Sequence, residues 1–222
     1  MNIRNAVRRP VLRALVSVLA LAGLAGCAVG NTHAYTTAAP VLKMQSQLST
    51  AVGVQDQRPY VLNHDKDEDF VGVQRAGFGN PFDVTTESKK PIAVDFSGVI
   101  TTALQKRGMK AETIVLAPSA DPADGKKKLI AASKDRLLLL ELIEWKSDTY
   151  NDTGLLYHVR LSVFDHGGAL LGEVTKQGDE DLGGSFMNPP AHAKSAVPVA
   201  LQRILEELLN DPRIVGAFQP SA

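Results

Sequence analysis

The side chain with the most distinctive chemistry in this sequence is a cysteine that has no second cysteine to pair with. Cys27 is the only cysteine among 222 residues. A disulfide within the chain is therefore excluded, and so is a zinc site built from several thiolates. If Cys27 serves for attachment, a catalytic Cys–His pair is excluded as well. The role of this thiol depends on the residues that surround it.

The residues that precede Cys27 have the pattern of an export signal. Their positive start is supplied by Arg4, Arg8, Arg9 and Arg13. Residues 14–25 follow as an apolar stretch, which is too short for a membrane-spanning helix of roughly 20 residues. Residues 1–26 are therefore predicted to be a cleaved signal peptide.

The apolar stretch ends in a motif that is similar to the lipobox of bacterial lipoproteins: Leu24, Ala25, Gly26 and Cys27. The resemblance implies that Cys27 becomes the new N-terminus and carries a covalent lipid, whose acyl chains contribute about 0.8 kcal/mol per buried methylene. In bacterial lipoproteins, Asp at the position after the acylated cysteine is associated with retention in the inner membrane. This chain has Ala28 at that position, so the resemblance implies the periplasmic face of the outer membrane. An ordinary signal peptide with an incidental cysteine, or an uncleaved anchor helix, stays open as an alternative.

The charge of the chain argues against one class of partner. The sequence has 24 Lys and Arg against 24 Asp and Glu, and removal of residues 1–26 leaves 20 basic against 24 acidic residues. A mildly acidic chain lacks the basic excess that drives binding to phosphate backbones, so nucleic acid is not an expected partner.

Two charged groups of residues suggest binding or pairing. Residues 63–69 alternate carboxylates as calcium loops do, but with Asp65 as the first position the turn glycine would be Phe70 and the bidentate glutamate Ala76. We predict a solvated acidic loop, no metal site and no cofactor other than the covalent lipid on Cys27. Asp56 and Arg58 are predicted to form a structural ion pair.

Phe78 and Phe82 flank Asn80 and Pro81 in a segment rich in turn residues. Two aromatic side chains on such a segment are candidates for contact with a partner protein. The alternative is that both rings fold back as a lid over the core. No nucleophile elbow or other catalytic spacing occurs, so the sequence predicts no enzyme. The opposing hypothesis requires Asp56, Glu141 and His158 to converge around one pocket.

Hydrophobic periodicity predicts an α+β domain over residues 41–222, with five to six mostly antiparallel strands and two main helices on one face. Strands are expected at residues 50–55, 70–74, 109–116, 137–145, 155–165 and 169–175, the last three forming a meander. The main helices are expected after Pro91, with Asp95 as a possible N-cap, and at residues 192–209, and a short helix within 118–134. Residues 27–40 are predicted to be a flexible tether, and residues 75–90 a long irregular loop.

This layout resembles the YajG-like family of bacterial lipoproteins. The resemblance rests on the lipobox, a strand leading into Asp56-Gln57-Arg58, a helix closing on Arg107-Gly108-Met109, a strand meander and a C-terminal helix. The long insertion between Arg58 and the first main helix departs from the family pattern. The resemblance implies an envelope lipoprotein and says little about mechanism.

The function predicted from these observations is that of an outer-membrane-anchored periplasmic lipoprotein, a non-enzymatic assembly or accessory module. Its expected partners are the membrane, through the acyl anchor, and an envelope protein complex. The alternative is a module that binds lipid, glycan or cell-wall fragments in a cleft between residues 75–90 and the sheet.

Overall fold

The computed structural model describes residues 31–219, which are organised around one sheet of eight strands. The strands are β1 (Thr32–His33), β2 (Thr50–Asp56), β3 (Phe70–Arg75), β4 (Pro81–Thr86), β5 (Ala111–Thr113), β6 (Arg136–Thr149), β7 (Asp152–Asp165) and β8 (Leu170–Gly184). The helices are α1 (Pro59–Leu62), α2 (Ile92–Lys106), α3 (Pro122–Ile130), α4 (Pro189–Leu209) and α5 (Pro212–Ala217), with 3-10 turns at Tyr35–Thr37 and Gly77–Gly79.

The long strand β6 connects all parts of the sheet. One of its edges pairs with β7, which in turn pairs with β8, in an antiparallel meander. Its other edge is shared by two parallel strands, β2 along residues 136–142 and β3 along residues 147–149. The sheet continues through β5 beyond β2, and through β4 and then β1 beyond β3. We call the point where β2 ends and β3 begins, beside residues 143–146 of β6, the split.

Helices cover both faces of the sheet. Along β6, Leu138 and Leu140 face a large core that also contains the apolar sides of α2 and α4. Leu137 and Leu139 face a smaller core on the opposite side, which Leu129 of α3 closes. Successive side chains of a strand point to opposite faces, so the run of leucines in β6 supplies both cores.

The predicted α+β class and the meander are confirmed, and the two main helices do share one face. The prediction of a mostly antiparallel sheet of five to six strands is wrong, because the sheet is mixed and has eight strands. Short turns between neighbouring strands reveal antiparallel pairs in a sequence. Parallel pairs join strands that are distant in the chain, and no local signal marks them.

Two segments predicted to be irregular are part of the fold. Residues 75–90 are not a long loop, because β4 lies within them and forms an antiparallel hairpin with β3. The described part of the predicted tether, residues 31–40, contains β1 and the buried ring of Tyr35. Tyr35 accepts a hydrogen bond from the indole nitrogen of Trp145 at 2.8 Å and packs edge-on against Phe96. Residues 31–40 therefore belong to the domain, which the sequence placed at 41–222.

The start of α2 also differs from expectation. Pro91 occupies the N-cap position, while Asp95 lies inside the first turn and its carboxylate accepts a hydrogen bond from Ser88 at 2.8 Å. Burial raises the pKa of Asp95, and the bond from Ser88 offsets part of that rise. Within residues 31–219, no helix combines the length and the apolar character needed to cross a membrane.

Candidate functional site

Asp56 and Arg58 form a buried, bidentate ion pair at the split. Arg58 Nε donates to Asp56 Oδ1 at 2.9 Å, and Arg58 Nη2 donates to Asp56 Oδ2 at 2.6 Å. The same guanidinium donates to the backbone oxygens of Phe70 at 2.5 Å and Glu68 at 3.1 Å. The side chain of Arg58 therefore connects the end of β2 to the start of β3.

Burial and pairing act in opposite directions on this arginine. The side chain of Arg58 is 0% exposed and that of Asp56 is 2% exposed. Burial alone would lower the pKa of Arg58, but the hydrogen bond and the negative charge of Asp56 outweigh it and the pKa is raised. The guanidinium stays charged, and its donors are used by the carboxylate and by carbonyl groups of the split.

Tyr60 of α1 occupies the gap that the two parallel strands leave along β6. Its hydroxyl lies 2.7 Å from Glu144 Oε1 and 2.9 Å from the backbone oxygen of Trp145. Its ring lies 5.4 Å from the guanidinium carbon of Arg58 and packs edge-on against Phe70. The predicted insertion after Arg58 thus has a structural role, because it satisfies polar groups at the break in the sheet.

A charged cavity of about 680 Å³ lies beside the split. Its lining includes His64, Lys66, Lys89 and the acidic residues 67–69. Lys66 also pairs with Asp83 of β4 at 2.6 Å. Among the described residues, no group of three His, Cys, Asp or Glu side chains is arranged to hold a metal ion. The cavity therefore presents mixed charge to solvent.

A second polar region lies on the face of the sheet that α3 partly covers. Glu141 of β6, 3% exposed, accepts two hydrogen bonds from Arg160 of β7, that from Nε at 3.0 Å. Two residues after Arg160 along β7, the hydroxyl of Ser162 donates to Glu173 of β8 at 2.9 Å. These four residues line a groove of about 290 Å³ together with the start of α3. The polar groups of these four side chains already hydrogen-bond to one another in pairs.

Asp56, Glu141 and His158 do not converge around one pocket. Gln55 is the register partner of Glu141, so the next residue, Asp56, points to the opposite face of the sheet. His158 is paired in register with Glu144 and is absent from the lining of the groove that contains Glu141. The arrangement required by the enzyme hypothesis is therefore not present among these three residues.

Exposed large apolar side chains occur at several places on the domain, including Leu170 and Leu171 at the start of β8. Four of them lie at the other end of the sheet, on three loops: Phe78 at the tip of the β3–β4 hairpin, Tyr150 in the β6–β7 turn, and Phe186 and Met187 between β8 and α4. We call these four residues the loop rim. Three of them are almost fully exposed: Phe78 at 104%, Phe186 at 94% and Met187 at 87%.

Contacts between neighbouring strands bring the three loops of the rim together. Arg75, next to the hairpin tip, donates from Nε to Asp148 at 2.8 Å, and Gln74 Nε2 donates to the oxygen of Thr149 at 3.1 Å. On the other side of the β6–β7 turn, Asp152 is the register partner of Gly184, one residue before the β8–α4 loop begins. The rim therefore follows the end of the sheet from β3 to β8.

The two predicted contact residues have different surroundings. Phe78 is wholly exposed, so it does not act as a lid over the core, and its φ of 66° is in the left-handed region that few non-glycine residues adopt. Phe82 lies in β4 and is half-buried. Phe186 and Met187 were missed by sequence reasoning, although turn-forming Gly183 and Gly184 before them indicated a loop.

Leu24, Ala25, Gly26 and Cys27 lie outside the described residues, as do residues 1–26 as a whole. The described chain begins at Asn31, four residues after Cys27. The predicted signal peptide, its cleavage and the lipid on Cys27 therefore stay predictions from the sequence.

Neither a protein-family model nor a curated protein matches this sequence. Solved structures with partial likeness include a DUF330-family protein from Xanthomonas campestris, with a TM-score of 0.48, 13% identity, and coverage of 80% of this chain and 95% of that chain. They also include the PelC dodecamer from Paraburkholderia phytofirmans, with a TM-score of 0.41, 13% identity, and coverage of 82% and 95%.

A third solved structure with partial likeness is lipoprotein GNA1162 from Neisseria meningitidis, with a TM-score of 0.27, 14% identity, and coverage of 60% of this chain and 81% of that chain. At these TM-scores and identities, the likenesses carry no argument about function, partners or assembly. Membership of the YajG-like family likewise stays a prediction, because no comparison shows it.

Proposed function

We propose that this chain is a lipid-anchored protein of the bacterial envelope, held at the periplasmic face of the outer membrane as a non-enzymatic assembly or accessory module. The observation that carries the proposal is the lipobox-like motif ending in Cys27, the only cysteine of the chain. An acylated cysteine at this position would anchor the domain effectively permanently, since several acyl chains would be buried in the bilayer.

The start of the domain supports a close connection between anchor and fold. His33 and Tyr35 are buried, with 3% and 0% exposure, only a few residues after Cys27. A fully extended stretch from Cys27 to Asn31 spans at most about 14 Å. The domain would therefore lie next to the bilayer surface.

The non-enzymatic part of the proposal rests on how the buried charges are used. Asp56 is bound by Arg58, and Glu141 is bound by Arg160. A general base or nucleophile must be available to a reacting group, whereas these carboxylates already accept charge-assisted hydrogen bonds. A role in contact with other envelope components fits this arrangement.

Fractionation of cells that express the full-length chain or Cys27→Ser tests the anchor. We expect the native chain to incorporate a fatty-acid label and to sediment with outer membranes, and the Cys27→Ser chain to lose both properties. An unlabelled native chain in the soluble periplasmic fraction would contradict the proposal. In-cell cross-linking followed by purification tests the assembly role, which loses its support if the native chain is recovered alone.

Binding of a small ligand is a second candidate function, favoured by the charged cavity of about 680 Å³ beside the split. Both signs of charge line it, so a zwitterionic fragment such as a muropeptide suits it better than a neutral lipid. Titration of purified protein with muropeptides by NMR would test this. We expect shifts confined to residues 61–69 and near Lys89, and their loss in Lys89→Glu; unchanged spectra would rule this ligand class out.

A further inference from the structure

Three of the four side chains of the loop rim contribute almost nothing to the core. Phe78, Phe186 and Met187 are each at least 87% exposed, so they bury almost no apolar surface within the domain. Single exposed apolar residues are common on protein surfaces. Four of them at one end of the same sheet can meet a single partner surface, and exposed apolar groups of this kind mark contact with a protein or a membrane.

The backbone at the hairpin tip favours an external use of Phe78. Its φ of 66° is unfavourable for a side chain with a Cβ, and the ring has no compensating contact in the core. Gly77 and Gly79 flank it, and a Cβ added at either glycine would meet nothing within 4 Å. The tip therefore extends into open space and presents the ring away from the domain.

The direction of the first strand relates the N-terminal side of the chain to the same end of the sheet. β1 runs parallel to β4, and β4 begins at Pro81 next to the hairpin tip, so the N-terminal end of β1 points towards the rim. The oxygen of Asn31 accepts a hydrogen bond from Thr85 at 3.2 Å, and the four residues from Thr85 back to Pro81 span about 13 Å. Four residues also separate Asn31 from Cys27, and they reach at most about 14 Å.

We infer that the loop rim is a membrane-contact surface, which rests on the lipid anchor at Cys27 of the proposed function. The partner of this surface is the bilayer in which the acyl chains of Cys27 are buried. If the four residues from Cys27 to Asn31 are extended along β4, Cys27 reaches the level of Pro81 at the base of the hairpin tip, and the bilayer that holds its acyl chains then lies next to these side chains. Phe78, Phe186 and Met187 enter the acyl boundary, while Tyr150 lies at the head-group level, where aromatic residues are enriched.

Tryptophan fluorescence can test this contact because the chain has one tryptophan, Trp145, which is 0% exposed. The full-length acylated chain carrying Phe186→Trp is reconstituted in vesicles of phosphatidylethanolamine and phosphatidylglycerol with brominated acyl chains. The matched control is Leu170→Trp, an exposed position at the opposite end of β8, about 46 Å along the strand from Gly184. The native chain supplies the background from Trp145.

We expect brominated lipid to quench the added emission of Phe186→Trp and to leave that of Leu170→Trp unchanged. Equal quenching at the two positions, or none at Phe186→Trp, would overturn the inference; the second result would leave the rim to a protein or to another copy of the chain. Flotation of the same vesicles separates this outcome from failure of the anchor. A chain that floats without quenching retains its anchor and refutes the rim contact, whereas a chain that does not float refutes the proposed function itself.

Discussion

Arg58 at the split and Phe78 at the loop rim lie in one segment of chain, between β2 and α2, yet the fold uses their side chains in opposite ways. Arg58 at the split is fully buried and gives its donors to Asp56, Phe70 and Glu68. Phe78 at the rim is fully exposed and contacts no core residue. A charged side chain is thus internal and an aromatic side chain external, the reverse of what residue type alone suggests.

The position of a side chain in the sheet topology determines whether it stabilises the fold. Two strands that share one edge of β6 leave a break in the hydrogen-bond ladder, and a planar guanidinium with several donors can bridge it. At the hairpin tip no neighbouring element remains to be joined. The polar residue therefore stabilises the fold, and the apolar residue is left for a contact outside it. Four predictions test this difference.

The largest effect is expected for Arg58→Met. It leaves the carboxylate of Asp56 buried without a counter-charge, which costs about 3–5 kcal/mol of unfolding free energy. Urea unfolding of the domain followed by circular dichroism measures the change. The matched control is Lys176→Met, which removes the half-exposed pair with Glu207 and should change stability by less than about 1 kcal/mol. Equal effects of the two substitutions would remove the distinction between the split and the surface.

Protonation of the buried His33 should make the stability of the domain depend on pH. Burial, with a smaller contribution from Lys194, lowers the pKa of His33 from 6.5 to about 4. Because the folded state disfavours the protonated ring, stability is complete above pH 6.5 and falls by about 3 kcal/mol as the pH decreases towards 4. The raised pKa of Asp95 acts in the opposite sense, so the difference between the native chain and His33→Gln isolates the histidine. Parallel stability curves for the two chains would contradict this.

A smaller effect is expected where β3 meets β6. A Cβ at Gly72 would lie 2.3 Å from the backbone oxygen of Ser147, which cannot move without breaking the parallel pair. We expect Gly72→Ala to reduce stability by about 1–3 kcal/mol, as overpacking does. Gly98→Ala is the control, because a Cβ there meets no atom within 4 Å. Thermal unfolding of both variants measures the effect, and an unchanged Gly72→Ala would mean that β3 can withdraw from β6.

The smallest effect is expected at the rim. Phe78→Asn keeps a residue type that tolerates positive φ and removes an exposed ring, so the free energy of unfolding should change by less than about 0.5 kcal/mol. Chemical unfolding measures it beside the Arg58 variant. A loss comparable to that of a core substitution would show that Phe78 packs on the domain in solution, and would end the contrast between the two regions.

Local sequence patterns predicted the helices and the antiparallel strands. The helix after Pro91, the short helix within 118–134, the C-terminal helix and the meander were recognised from periodicity and turn residues. The segment 31–40 was missed because its buried Tyr35 is packed by Phe96 and Trp145, which are distant in sequence. β4 was missed because Pro81 and neighbouring glycines resemble a loop until β3 pairs with it.

The split and the loop rim were likewise predictable only in part. The sequence singled out Asp56, Arg58 and Phe78, but residue spacing does not reveal that the arginine would be buried or that Phe78 would share a rim with Phe186 and Met187. Two of the three loops are turns of separate hairpins and the third connects β8 to α4, and only the strand register aligns them at one end of the sheet.

By itself, the sequence determined the α+β class, the meander, the solitary cysteine and its lipobox-like setting, because each depends on residues close together in the chain. Only the tertiary structure decided that β2 and β3 share one edge of β6, that Arg58 bridges the split, and that the N-terminal end of β1 points towards the rim. These features depend on parallel pairing between distant segments, whose contacts exist only after the chain has folded.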